Sequence, residues 1–197
     1  MDRLIVFADY VCPYCDLAGT QLERLRRAVP LEIEPAAFEL RPPGTALPAP
    51  DAEWMRRGWR ESVEPLARSM GVEMRYPLMS TRTRKAHEAV AHARQHGAAL
   101  AMHSAIYRAW WRDGRDIGRI DVLMELAVEA GLDGTALKVE LDIDKWTDRV
   151  VQEEETASQY GIAGVPAYVS MAGSDVTGIR TGLQHYDELK DWMTDRS

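Results

Sequence analysis

The stretch DYVCPYCD, residues 9–16, contains both cysteines of the 197-residue chain, Cys12 and Cys15. Two cysteines placed at random would fall three positions apart about one time in a hundred, so the spacing itself points to a functional pair. The flanking residues specify its setting. Leu4-Ile5-Val6-Phe7-Ala8 is short, apolar and rich in strand formers, and reads as a buried strand. Pro13 suits the first turn of a helix, and Leu17, Leu22, Leu25 and Val29 carry an approximately helical apolar repeat that ends near Pro30. Cys12 is therefore expected at a helix N-terminus, where the helix dipole and unpaired N–H groups favour a thiolate.

Composition bounds the rest. A chain of 197 residues, 46% hydrophobic and 28% charged, is ordinary for a globular enzyme of one or two domains. Net charge −7 and pI about 5.3 argue against a dedicated nucleic-acid partner, which needs a basic face. The arginines between Arg41 and Arg94 are interspersed with acids and read as a solvated face. No apolar run reaches ~18 residues, so no membrane span is expected. Met1-Asp2-Arg3 leads straight into the first strand with no secretory apolar region, so a cytoplasmic protein is expected. In that reducing compartment a close cysteine pair is catalytic, metal-binding or redox-sensing rather than a staple, and its loop is too small to stabilise much.

Residues 31–40 look like a second strand, with Leu31 and Ile33 on one face and Pro35 marking a bulge or edge. RPPGTALPAPDAE (41–53) is linker-like. Helical periodicity then dominates, over 54–70, 83–97, 98–113, 121–130 and 144–160. Gly71, Gly97, Gly131 and Gly161 follow these runs where a left-handed residue belongs, and Asp121 and Asp144 are candidate N-caps. GIAGVPAYVS (161–170), a turn at 171–174 and DVTGIRT (175–181) form a predicted hairpin, followed by an amphipathic helix over 184–193. The order strand, C-x-x-C helix, strand, helical block, hairpin, helix gives an α/β thioredoxin fold with a large all-helical insertion. Its predicted divisions are 1–42 with 161–197 for the thioredoxin-fold domain and 43–160 for the insertion.

With these landmarks the chain resembles the DsbA-like thioredoxin-fold oxidoreductases. It is most similar to the FrnE-like branch related to 2-hydroxychromene-2-carboxylate isomerases and kappa-class glutathione transferases. The resemblance runs from Leu4 to about Trp192 through DYVCPYC (9–15), TRKAHEAVAHARQHG (83–97), the segment 105–133 and YGIAGVPAYV (160–169). It implies that Cys12 is the nucleophile, that Cys15 resolves the mixed disulfide, and that Pro166 is a cis-proline facing them. Val165 would offer its backbone to an extended substrate, and Pro13 and Tyr14 would flank it. The implied activity is thiol–disulfide exchange with protein or glutathione-type disulfides, with no tightly bound cofactor and glutathione as a candidate co-substrate. A homodimer is left open.

The sequence departs from the family in two ways. Many thioredoxin-fold enzymes carry a buried acid six residues before the first cysteine, and here that position is Val6. Asp9 reads first as a cap of the following turn, with a share of the proton transfer as the alternative. Pro-Tyr is the dipeptide of glutaredoxins, whereas the long insertion is unlike them. The alternative activity is a glutathione-dependent isomerase or transferase, and Cys12 argues against it because such relatives typically have serine there. His87, His92, His96 and His103 match no zinc pattern and read as surface or satisfied histidines, so no metal site is expected. Trp110 and Trp111 are candidates for a hydrophobic cleft, against the plainer reading that they divide between core and surface.

Overall fold

The computed structural model describes residues 2–194. The first strand, β1 (Asp2–Ala8), turns into α1 (Pro13–Ala28), with Pro13 in the first turn, where its missing N–H would have had no helical partner. β2 (Leu31–Ala37) then returns to the sheet. The chain continues through α2 (Glu53–Gly58), one π-helical turn (Trp59–Val63), α3 (Glu64–Ser69), α4 (Arg84–Gln95), α5 (Ala99–Trp111), α6 (Ile120–Glu129), α7 (Gly134–Asp142) and α8 (Thr147–Gln159). The hairpin β3 (Ala167–Ala172) and β4 (Asp175–Thr181) precedes α9 (Tyr186–Thr194).

The sheet order is β2-β1-β3-β4, with β1 parallel to β2 and both hairpin strands antiparallel to their neighbours. Alternation along β1 assigns its two faces. Leu4 and Val6 pack with Ala18, Leu22 and Leu25 of α1 and with Leu189 and Met193 of α9. Phe7 points the other way, into a cluster with Ala157 of α8, Ile162 and Val169. A third core ties the redox motif to the helical block: Tyr10, Cys12 and Cys15 pack with Ala86, Ala89 and Val90 of α4 and Ile106 and Trp110 of α5. β2 is an edge strand, as its proline foreshadows. The Ala37 N–H donates to Glu153 at 2.7 Å and the Glu39 N–H to Glu154 at 2.9 Å, while Arg94 donates to the Pro35 carbonyl.

The helical block departs from the expected boundaries in three places. Residues 54–70 are not one helix, because the π-helical turn from Trp59 to Val63 divides them into α2 and α3. A further helix, α7, follows Asp133, whose carboxylate accepts the N–H groups of Thr135 and Ala136. Neither expected aspartate cap holds its helix. Arg119 is the N-cap of α6, and Asp121 sits within its first turn paired with Arg119. Asp144 has φ 54°, and its carboxylate binds Lys85 at 2.5 Å, which ties the α7–α8 turn to α4, and α8 begins later. The four helix-ending glycines at 71, 97, 131 and 161 do have positive φ.

Candidate redox site

Cys12 is the N-cap of α1 and Cys15 lies in its first turn, so the helix geometry turns both sulfurs toward one place. The Cys12 N–H donates to the Asp9 carbonyl, and the Cys15 N–H to the Cys12 carbonyl, each at 3.1 Å. Both cysteines are free thiols, buried to within a few per cent. Cys12 Sγ approaches the Val165 carbonyl oxygen at 3.6 Å, a bond the thiol donates when protonated. The Val165–Pro166 peptide bond is cis.

The two thiols are polarised in opposite directions. A hydrogen bond from Cys15 holds the Cys12 thiol below its ordinary value; burial opposes this, and the backbone N–H groups of Cys15 and Tyr14 add to it. Burial pushes Cys15 well above its ordinary value, and the same bond to Cys12 pushes it further. Of the two, Cys12 is therefore the thiol more ready to ionise and Cys15 the one more inclined to keep its proton.

A cavity of about 340 Å³ opens beside the motif. Val11, Pro13 and Tyr14 form one wall, and Trp59, Trp110 and Trp111 form another. Trp59 stacks on Trp111 with ring centroids 6.0 Å apart and planes 13° apart. Trp110 and Trp111 are both buried and both line this cavity, so adjacent tryptophans do not divide between core and surface as the plainer reading had it. Arg41 is the one charged side chain among the described residues that line it.

Asp9 does not cap the turn. It is fully buried, its Oδ2 accepts the Leu40 N–H at 2.7 Å, and its Oδ1 faces His87 Nε2 at 3.6 Å. Around it, Tyr107 donates its hydroxyl to the Asp9 carbonyl at 3.2 Å, and Tyr10 packs against the rings of His87, His103 and Tyr107. His87 was expected to be a surface or satisfied histidine, yet it is buried and its Nε2 has no hydrogen-bond partner. His92 is buried as well, but satisfied, with Nδ1 2.6 Å from Glu140. The one available signal for His87 was a polar residue within the alanine-rich buried stripe of α4.

The family model for the DSBA-like thioredoxin domain matches residues 3–193. The chain belongs to that family. Among curated proteins it is 30% identical over 184 residues to the uncharacterized protein YwbO of Bacillus subtilis, covering 87% of this chain and 91% of that one. Its fold matches the crystal structure of a probable DsbA oxidoreductase from Streptomyces coelicolor with TM-score 0.84 at 24% identity, over 100% and 92% of the two chains. It also matches the cytosolic disulfide reductase DsbM from Pseudomonas aeruginosa with TM-score 0.71 at 20% identity, over 97% and 96%. A second structure of DsbM contains GSH. Among the described residues no helix is long and apolar enough to cross a membrane, and no cluster of three or more His, Cys, Asp or Glu is placed to hold a metal ion.

Proposed function

We propose that the protein is a thiol–disulfide oxidoreductase in which Cys12 attacks and Cys15 resolves. The observation that carries this reading is the placement of two free thiols in one helical turn, Cys12 at the N-cap of α1 and Cys15 within its first turn, with the Cys12 sulfur 3.6 Å from the Val165 carbonyl oxygen. The Cys12 thiolate attacks a substrate disulfide and releases the first thiolate, leaving a mixed disulfide. Cys15 then attacks the Cys12 sulfur and the second substrate thiolate departs. Two electrons pass from the cysteine pair to the substrate, and the pair ends as an intramolecular disulfide.

The apolar cavity beside Pro13 and Tyr14 suits a disulfide flanked by a bulky apolar or aromatic group, with Arg41 to meet an anionic end. Glutathione is the natural small thiol to return the pair to its reduced state, by analogy with DsbM, whose structure with GSH shares this fold. In a cytoplasmic setting a pair with a potential on the order of −150 to −230 mV rests mostly reduced and works as a reductase or isomerase of misformed disulfides.

Reduction of insulin disulfides with glutathione as donor, in wild type, Cys12→Ser and Cys15→Ser, tests the reading. Cys12→Ser should be inactive, and Cys15→Ser should accumulate a Cys12–glutathione mixed disulfide detectable by mass. Full activity in Cys12→Ser would overturn it. Tight glutathione binding by wild type with no mixed disulfide in any variant would favour the glutathione-dependent isomerase or transferase instead.

A further inference from the structure

We propose that Arg82 is a positioning residue that gives the cavity beside the redox motif its preference for anionic substrates, by fixing where Arg41 stands. This inference rests on the reading that the cavity receives the group flanking the disulfide that Cys12 attacks.

The segment that carries Arg41 is poor in donors. Residues 41–50, RPPGTALPAP, contain four prolines, which have no N–H to give. What the segment offers is carbonyl oxygens, and residues 76–82 supply the donors. The Tyr76 hydroxyl donates to the Pro50 carbonyl at 2.6 Å and the Ser80 hydroxyl to the Pro48 carbonyl. Arg82 makes the most bonds. Its Nη1 donates to the carbonyls of Arg41 and Pro42, each at 2.9 Å, and to Thr45 Oγ1 at 3.4 Å, while Nη2 donates to the Thr45 carbonyl at 2.5 Å.

Those acceptors belong to one turn. The Thr45 N–H donates to the Pro42 carbonyl at 3.1 Å, Pro43 stands second and Gly44 third, and Gly44 has φ 91°, the pattern of a type II turn. A guanidinium is planar and presents its donors as a fixed fork, so bonds to several acceptors of one turn set its orientation as well as its distance. Among the described residues, every side-chain hydrogen bond of Arg82 goes to this segment. Arg82 is itself on firm ground. It adjoins Thr83, the N-cap of α4, and the neighbouring Thr81 donates to Asp116 at 2.6 Å.

Arg41 is thereby pinned from both sides. Upstream, the Leu40 N–H donates to Asp9 Oδ2 at 2.7 Å, and downstream the Arg41 carbonyl is held by Arg82. The Arg41 guanidinium turns back toward the Leu40 carbonyl, to which Nη1 donates at 2.9 Å. A carboxylate entering among Trp54, Trp59, Trp110 and Trp111 has only Arg41 as a countercharge among the described lining residues. With Arg41 displaced, that carboxylate would be desolvated and unpaired, so the placement of one side chain decides whether anionic substrates are accepted.

The test compares two aromatic disulfides that release a chromophoric thiol: dithiobis-nitrobenzoate, with a carboxylate on each ring, and dithiodipyridine, which is neutral. Reduced protein is mixed with an excess of each, and every rate is divided by that of free dithiothreitol with the same disulfide, which removes intrinsic reactivity. The wild type should favour the anionic disulfide. Arg41→Gln and Arg82→Gln should each lower the anionic-to-neutral ratio roughly tenfold, the scale of one charge-assisted contact. The double variant should lower it no further, because Arg82 acts through Arg41. Arg82→Lys keeps the charge without the fork and should lower the ratio as Arg82→Gln does.

A ratio retained in Arg82→Gln or in Arg82→Lys, or lowered additively in the double variant, would overturn the proposal. Equal slowing of both disulfides, the mark of general loosening, would overturn it too. Should Arg82→Gln fail to fold, Gly44→Val strains the same turn from its exposed side, and the ratio should fall there as well; a retained ratio counts against the proposal. A wild type that reacts through Cys12 without preferring the anionic disulfide removes the proposal and leaves the cysteine assignment standing. A wild type no faster than Cys12→Ser removes that assignment as well.

Discussion

Cys12 Sγ lies 3.6 Å from the carbonyl oxygen of Val165, a residue 153 positions away in the chain. The contact joins the N-terminus of α1 to the loop that opens β3, and it places the Cys12 sulfur against backbone rather than against a charged side chain. No cation is therefore needed to explain the polarisation of Cys12, whose leading cause is its neighbour Cys15.

Cys15→Ala should consequently raise the Cys12 pKa toward the ordinary ~8.5 of a free thiol, because it removes the strongest influence that lowers it. Ultraviolet thiolate absorbance against pH checks this. An unchanged Cys12 titration would show that the helix N-terminus alone sets it.

Trp54 stands 58% exposed at the cavity beside the motif, so it contacts an occupant without supporting the core. Trp54→Ala should raise KM several-fold for peptide disulfides flanked by an aromatic residue and leave kcat nearly unchanged. Stability should stay within about 0.5 kcal/mol, as for other surface substitutions. Steady-state kinetics and a thermal melt on the same sample separate the two effects.

Two glycines should respond oppositely to alanine. At Gly118 a Cβ would come within 3.1 Å of the Arg82 carbonyl and would also clash with Thr81 Oγ1, which donates to Asp116 at 2.6 Å. Gly118→Ala should therefore cost about 1–3 kcal/mol. Gly19, inside α1, has open space around the same position, and Gly19→Ala should add about 0.5–1 kcal/mol. Urea unfolding of both variants reads the difference.

Glu140 supplies a pH-dependent term. Burial would raise its pKa, but hydrogen bonds from Lys145, His92 and Trp146 outweigh this and hold it down to about 2. A carboxyl depressed on folding contributes stability above its unfolded value of about 4.3, and that contribution is lost as pH falls toward the folded value. The stability gap between wild type and Glu140→Gln should thus be flat from neutral pH to about pH 5 and close between about 4.3 and 2. Urea midpoints measured across that range test the window.

Local signals made the C-x-x-C turn legible. Strand, proline and helix follow one another within residues 4–28, so period and turn chemistry sufficed to put Cys12 at the N-terminus of α1. Pro35 likewise betrayed an edge strand, and glycines marked the helix ends. What escaped depends on distant partners. Nothing near Asp9 announces His87, because their approach is created by packing α4 against the end of β1. Asp144 looked like a cap because aspartate usually caps, but Lys85 of α4 claims its carboxylate. The π-helical turn at Trp59–Val63 has no periodic signature over five residues, and α7 begins at a glycine, a weak helix former that masks its start.

The acids of α8 have a consequence for self-association. An edge strand with free N–H groups is a template onto which another chain can add. At the C-terminal end of β2 the outward donors are withdrawn: Pro35 has none, Ala37 gives its own to Glu153, and just beyond the strand Glu39 gives its own to Glu154. Arg94 occupies the outward Pro35 carbonyl as well. This end of the sheet margin is therefore guarded against edge-to-edge pairing, and the guard consists of side chains rather than a covering strand. Glu153→Ala with Glu154→Ala should therefore leave the native fold formed but prone to concentration-dependent fibril growth, which thioflavin fluorescence would register.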